Sequence, residues 1–100
     1  MMRLLLSPRV AADLEEIGDY IARDSPFQAI RFIRLIHARI KEISGHPEVY
    51  RLRPEIGEDA RLATMGHYVI QFRIRRGTVR VERVVHGSRD LIAMLEEPEE

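Results

Sequence analysis

The apolar positions of this chain change rhythm three times. Leu4, Leu5 and Leu6 form a run of strand length, closed by Ser7-Pro8. That pair supplies an N-cap hydroxyl followed by proline at the first helical position, so a helix is predicted to start there. Val10, Leu14, Ile17 and Ile21 then recur at spacings of four, three and four. This places them on one helical face and turns Asp13, Glu15, Glu16 and Asp19 outward. Asp24-Ser25-Pro26 breaks the helix and starts another, because Ser25 with Gln28 has the form of a capping box and Pro26 fits a first turn. Ala29, Ile33, Ile36, Ile40 and Ile43 make the main stripe of the second helix, widened by Phe32 and Leu35, until Gly45 and Pro47 end it. Two helices joined so closely are expected to pack antiparallel as an αα-hairpin.

From Glu48 to Asp59 the chain is polar, with Pro54 and Gly57, and reads as a surface connection. Arg61 to Met65, Tyr68 to Arg75 and Thr78 to His86 then read as strands, divided by turns at Gly66-His67 and Arg76-Gly77. The result is an antiparallel meander. Tyr68, Ile70, Phe72 and Ile74 alternate onto one face, matched by Val79, Val81 and Val85, and that face is expected to cover the helices while the other takes the polar residues. Arg83 interrupts the alternation. Gly87-Ser88 closes the sheet, residues 89–95 read as a short helical or extended piece, and the acidic residues 96–100 are expected to form a mobile tail. The expected fold is α+β, with a short N-terminal strand, an αα-hairpin and a three-stranded antiparallel meander in a single domain over residues 1–95.

Composition narrows the chemistry. With 100 residues, 45% of them hydrophobic, the chain has material for one modest core. The absence of cysteine removes disulfides, thiolate metal sites and cysteine nucleophiles, and favours a reducing, cytoplasmic setting. The apolar run at Leu4–Leu6 is far too short for a signal core or a membrane span, so no membrane association is expected. Net charge is zero, yet residues 1–50 balance, residues 51–90 carry +4 and the last ten carry −4. Lys41 is the only lysine among 16 basic residues, so the positive charge is almost wholly planar guanidinium, suited to carboxylate or phosphate.

A two-residue turn at Arg76-Gly77 sets Arg75 opposite Thr78, Arg73 opposite Arg80, Gln71 opposite Glu82, Ile70 opposite Arg83 and His67 opposite His86. Facing arginines are mildly destabilising, by some tenths of a kcal/mol, roughly. An acidic partner or a phosphate would relieve them, as would Glu82 lying diagonally nearby. Arg83 either snorkels to the sheet edge or is held there for a purpose. His67 and His86 beside arginines offer acid-base chemistry on an RNA 2′-hydroxyl, or are two surface histidines near a strand end. The four histidines show no metal-ligand spacing, and no Gly-rich phosphate loop or Ser-His-Asp order is present, so neither metal nor cofactor is expected.

The order of these elements is joined by several short signatures. They are Ala12-Asp13-Leu14, Ile17 and Tyr20-Ile21-Ala22 in the first helix, Ser25-Pro26 with Ala29 and Phe32 in the second, and Arg53-Pro54-Glu55 with Arg61 in the connection. Tyr68-Val69-Ile70 and His86-Gly87-Ser88-Arg89-Asp90 complete the set. Together they resemble the RelE/ParE toxin superfamily, and the ParE branch in particular. The resemblance implies a type II toxin held inactive by a cognate antitoxin encoded beside it. ParE-like toxins poison DNA gyrase, whereas RelE-like toxins cleave messenger RNA on the ribosome, using a lysine-rich approach to the second strand with an arginine and a tyrosine or histidine near the C-terminus. Arg61 and Arg89 fall at two such positions, but no lysine cluster is present and no tyrosine follows Tyr68.

The expected function is therefore gyrase inhibition through protein contacts, without an active site. Antitoxin or target contact is expected at Arg53, Arg61, Arg73, Arg80, Arg83 and Arg89, and operator DNA is met only through the antitoxin. The antitoxin is expected to be an extended, acidic and apolar segment. The alternatives are an endoribonuclease using His86, Arg61 and Arg89, or a degenerate toxin that only binds its antitoxin.

Overall fold

The computed structural model describes residues 2–91 and 93, and the acidic stretch 96–100 lies outside them. The elements are β1 (Arg3–Leu6), α1 (Pro8–Ala22), α2 (Pro26–Gly45), β2 (Arg61–Met65), β3 (Tyr68–Arg75) and β4 (Thr78–His86), with one turn of 3-10 helix at Pro47–Val49. The strands form one sheet in the order β1-β4-β3-β2. β3 pairs antiparallel with β2 and β4, while β1 lies parallel to β4 at the sheet edge. The α+β architecture of strand, helical pair and meander is thus the one the residue pattern predicts.

Local chemistry accounts for the element boundaries. Ser25 is extended and its hydroxyl accepts the Gln28 N–H at 3.1 Å, which starts α2. Gly66 takes a φ of 60° in the β2–β3 turn, and Arg76 and Gly77 take 51° and 74° in the β3–β4 turn. Positive φ at both central residues is the geometry that matches the twist of a tight hairpin. Ser7 departs from expectation, because its hydroxyl donates to the Glu82 carbonyl at 2.7 Å instead of capping α1. A strand carbonyl lay within its reach, and it bridges β1 to β4.

The helices pack on one sheet face. Val10, Leu14 and Ile17 from α1 and Ile36, Ile40 and Ile43 from α2 meet Ile70, Phe72, Val79, Val81 and Val84. Phe32 lies 5.1 Å from Tyr68, ring to ring, and Tyr50 meets Phe72 edge-on at 5.5 Å. Leu35, expected to widen the α2 stripe, is instead 43% exposed, since each step along a helix turns about 100° and carries it away from the Ile36 row.

The larger correction is in β4. From Arg75 opposite Thr78 to Phe72 opposite Val81 the hairpin is regular, and then the register shifts between Gln71 and Phe72. Glu82 is the extra residue of a β-bulge, so Arg83 pairs with Gln71, Val84 with Ile70, Val85 with Val69, and His86 with Tyr68. The expected partners Gln71/Glu82, Ile70/Arg83 and His67/His86 are all displaced by one. Val84, not Val85, therefore joins the core, and Val69 and Val85 are buried outside it on the sheet's far face.

The cause lies on α1. Asp13, expected to face outward, is 8% exposed, and its carboxylate accepts Arg83 Nε at 2.9 Å, Arg83 Nη2 at 3.0 Å and the Val84 N–H at 2.9 Å. This bidentate pair with an added backbone bond fixes the bulge. Asp13→Ala, which removes a largely buried carboxylate that accepts three hydrogen bonds, is expected to cost about 3–5 kcal/mol. Ile40→Ala, at a 2% exposed site, is expected to cost about 2–5 kcal/mol. Denaturant titration checks both, and a midpoint within error of wild type for either would contradict the stated role.

Candidate interaction site

Glu16, Asp19, Tyr20 and Arg23 follow one another at helical spacing along a single edge of α1. Opposite that edge lies the end of β4 with the turn that follows it. Between them opens a cleft of about 730 Å³, lined on the strand side by Tyr68, Arg83, Val84, Val85, His86, Arg89 and Asp90. The Asp13–Arg83 pair lines the same cleft, so the interaction that sets the β4 register also joins its two walls.

His86 organises the turn. Its Nδ1 accepts the Arg89 N–H at 3.0 Å and the Ser88 N–H at 3.3 Å, with the Ser88 hydroxyl at 3.2 Å. With Nδ1 accepting, the neutral ring carries its proton on Nε2. The ring stands edge-on to Tyr68 at 5.3 Å and stacks on His67 at 6.1 Å. Burial pushes the Tyr68 phenol above its ordinary 10.0; Tyr20 and Asp90 add to this and the Arg89 cation opposes it. At the cleft's mouth the half-exposed Tyr20 ring has two guanidinium carbons against it, Arg89 at 5.2 Å and Arg23 at 5.8 Å.

The six arginines singled out by sequence do not form one patch. Arg83 is held by Asp13. Arg61 donates to the Tyr50 carbonyl and, at 3.5 Å, to that of Glu48, tying the connection before β2 to the sheet. Arg53 Nε donates to Glu55 at 2.6 Å and holds that carboxyl below the usual carboxylate range. Arg73 and Arg80 are opposite each other as expected, but the anticipated repulsion is relieved within the chain. Arg80 pairs with Glu82 at 3.1 Å and Arg73 donates to the Glu58 carbonyl at 2.7 Å.

The structure brings together His86 and Arg89. It leaves Arg61 at the register of Phe72, four strand positions from Tyr68 and His86, or about 13 Å along the sheet. Sequence reasoning missed Tyr20 and Arg23 as site residues. Their signal was present in the 16-19-20-23 spacing, but its meaning depends on what α1 packs beside. Among the described residues, no group of three or more His, Cys, Asp or Glu side chains is placed to hold a metal ion.

Residues 4–91 match the family described as the ParE toxin of the type II toxin-antitoxin system parDE. The chain belongs to the ParE toxin family. It is 33% identical over 91 residues to Toxin ParE1 of Mycobacterium tuberculosis, an alignment covering 89% of this chain and 93% of that one. It is 29% identical over 89 residues to Toxin RelE2 of Caulobacter vibrioides, covering 89% and 99%. In fold it resembles a chain of the chromosomal ParDE TA system from P. aeruginosa, with a TM-score of 0.75 over 86% of this chain and 96% of that one, at 24% identity. ParE-family membership makes this protein a type II toxin-antitoxin toxin of the ParE/RelE superfamily. Among the described residues of this ParE-family chain, no helix is long and apolar enough to cross a membrane.

The raised Tyr68 phenol gives a pH signature with a definite sign. Because the native state favours the neutral phenol, this contribution to stability is fully present below the unfolded-state value near 10.0 and is lost as pH rises through the higher native one. Wild-type stability is therefore expected to fall on alkaline titration more steeply than that of Tyr68→Phe. Equal slopes in denaturant titrations on either side of pH 10 would show that Tyr68 is not the group responsible.

Proposed function

We propose that this toxin inhibits DNA gyrase in the cytoplasm through protein–protein contacts and is neutralised by a cognate antitoxin encoded beside it. Operator DNA is reached only through that antitoxin. The charge of the cleft carries this reading. Asp13, Glu15, Glu16, Asp19 and Asp90 line it against Arg23, Arg83 and Arg89, and Arg83 is already matched by Asp13. A wall with more carboxylates than guanidiniums repels a phosphate backbone, whereas a protein segment bearing both signs is accommodated.

The histidine supports the same reading. To act as a base at Nε2, His86 would have to hold its proton on Nδ1, giving up the bonds from Ser88 and Arg89. Arg61, needed for the ribonuclease alternative, points its guanidinium at the Tyr50 and Glu48 carbonyls. Of the arginines proposed for partner contact, Arg80 and Arg89 are best suited, with side chains 49% and 53% exposed. Arg53, Arg61, Arg73 and Arg83 are proposed to act through the surfaces they hold in place.

Purified toxin is expected to block gyrase supercoiling while leaving messenger RNA intact on translating ribosomes. Site-specific RNA cleavage that disappears in His86→Ala would replace this reading with the ribonuclease. Loss of both activities in a chain that still binds its antitoxin would mark a degenerate toxin.

A further inference from the structure

We propose that the cleft between α1 and the end of β4 is the seat of one antitoxin segment with a two-charge signature. A carboxylate of that segment is held by Arg23 and Arg89 at the Tyr20 ring, and a lysine or arginine lies against Glu16 and Asp19. This rests on the toxin–antitoxin reading above and adds to it a place, a set of residues and a partner chemistry.

The first observation is a pairing that does not form. Asp19 and Arg23 are four apart on α1, the spacing at which opposite charges meet along a helix. Yet no ion pair joins them among the described residues, and Arg23 sits against Tyr20. Arg89 converges on the same ring from the turn after β4, with Asp90 only at 4.0 Å. Two cations thus gather at one exposed aromatic ring while the nearest helical carboxylates remain unmatched. Tyrosine and arginine together in a concave site are the composition of residues that dominate protein interfaces.

The second observation is the polarity of the cleft. Glu16 lies just past the middle of α1 and Asp19 one turn before Arg23, which gathers with Arg89 at the helix end. Seven residues of helix separate Glu16 from Arg23, about 10 Å. A ligand that meets both groups therefore presents opposite charges about 6 to 10 Å apart, one to two helical turns or two to three extended residues. A polyanion fits one end only. This part of the lining is preorganised, since the Asp13–Arg83 pair is closed and largely buried and needs nothing from a ligand. A concavity of this kind takes a chain segment that orders on binding, the chemistry of an antitoxin arm.

The test uses full-length toxin and the protein encoded by the adjoining open reading frame, with affinity measured by calorimetry at low and high salt. Arg23→Glu, Arg89→Glu and Glu16→Lys are each expected to weaken binding about tenfold or more, with the arginine variants also flattening its salt dependence. Lys41→Glu, on an exposed site of α2 away from the cleft, is expected to bind as wild type. Circular dichroism and thermal unfolding confirm that each variant is folded, and the milder Arg23→Gln and Arg89→Gln replace any that is not. Reversing one antitoxin carboxylate to lysine is expected to restore binding to Arg89→Glu. Wild-type affinity in all three cleft variants overturns this inference alone. Failure of wild-type toxin to bind overturns the toxin–antitoxin reading and this inference with it.

Discussion

The carboxylate of Asp13 is the contact on which the working half of this molecule depends. It joins a helix made early in the chain to a strand made late, at a sequence separation of 70 residues for Arg83 and 71 for the Val84 N–H. Without it, β4 would continue in regular register and carry Arg83 onto the row of Val79 and Val81. An arginine there would have to be desolvated without a partner, at a cost of several kcal/mol, roughly. The bulge avoids this by inserting Glu82, and Ser7 holds the inserted residue's carbonyl from the other neighbouring strand. The same shift sets His86 across from Tyr68, and the turn that follows delivers Arg89 to Tyr20.

This dependence explains what the sequence revealed and what it concealed. The strands β2, β3 and β4 and the turns between them were legible because their signals are local, with glycine where φ must be positive and alternating apolar residues on either side. The αα-hairpin was legible because Ser25-Pro26 is a local start signal. The bulge was not, since nothing near residue 82 announces it and its determinant sits on α1. Asp13 itself read as a solvent residue, because helical periodicity identifies a face without identifying what packs beside it. Ser7 read as a cap for the same reason, a competing acceptor being invisible until β1 is laid against β4.

The candidate site shows the same division. Arginine and histidine were identifiable as residue types, and His86 and Arg89 do share a turn. The geometry that converts them into a surface comes from Tyr20 and Arg23 on the facing helix. Conversely, the cross-strand Arg73 and Arg80 looked like a source of binding energy, but Glu58 and Glu82 supply their acceptors. Zero net charge therefore describes a chain in which Arg61 and Arg73 tie connecting segments to the sheet and Arg80 and Arg83 are matched by carboxylates, while Arg23 and Arg89 gather at the Tyr20 ring.

The placement of β1 also governs when this protein can come into being. Among the described strands the first pairs with the last alone, Leu6 lying beside Val81, and the Ser7 hydroxyl waits for a carbonyl 75 positions further on. Synthesis proceeds at about 5–20 residues per second, and contacts this distant in sequence close late. Residues 3–90 must therefore all be present before the β1–β4 pair has formed and the cleft has two walls. The cleft is thus assembled from the two ends of that span at once, and a shorter folding intermediate has one of its walls without the other.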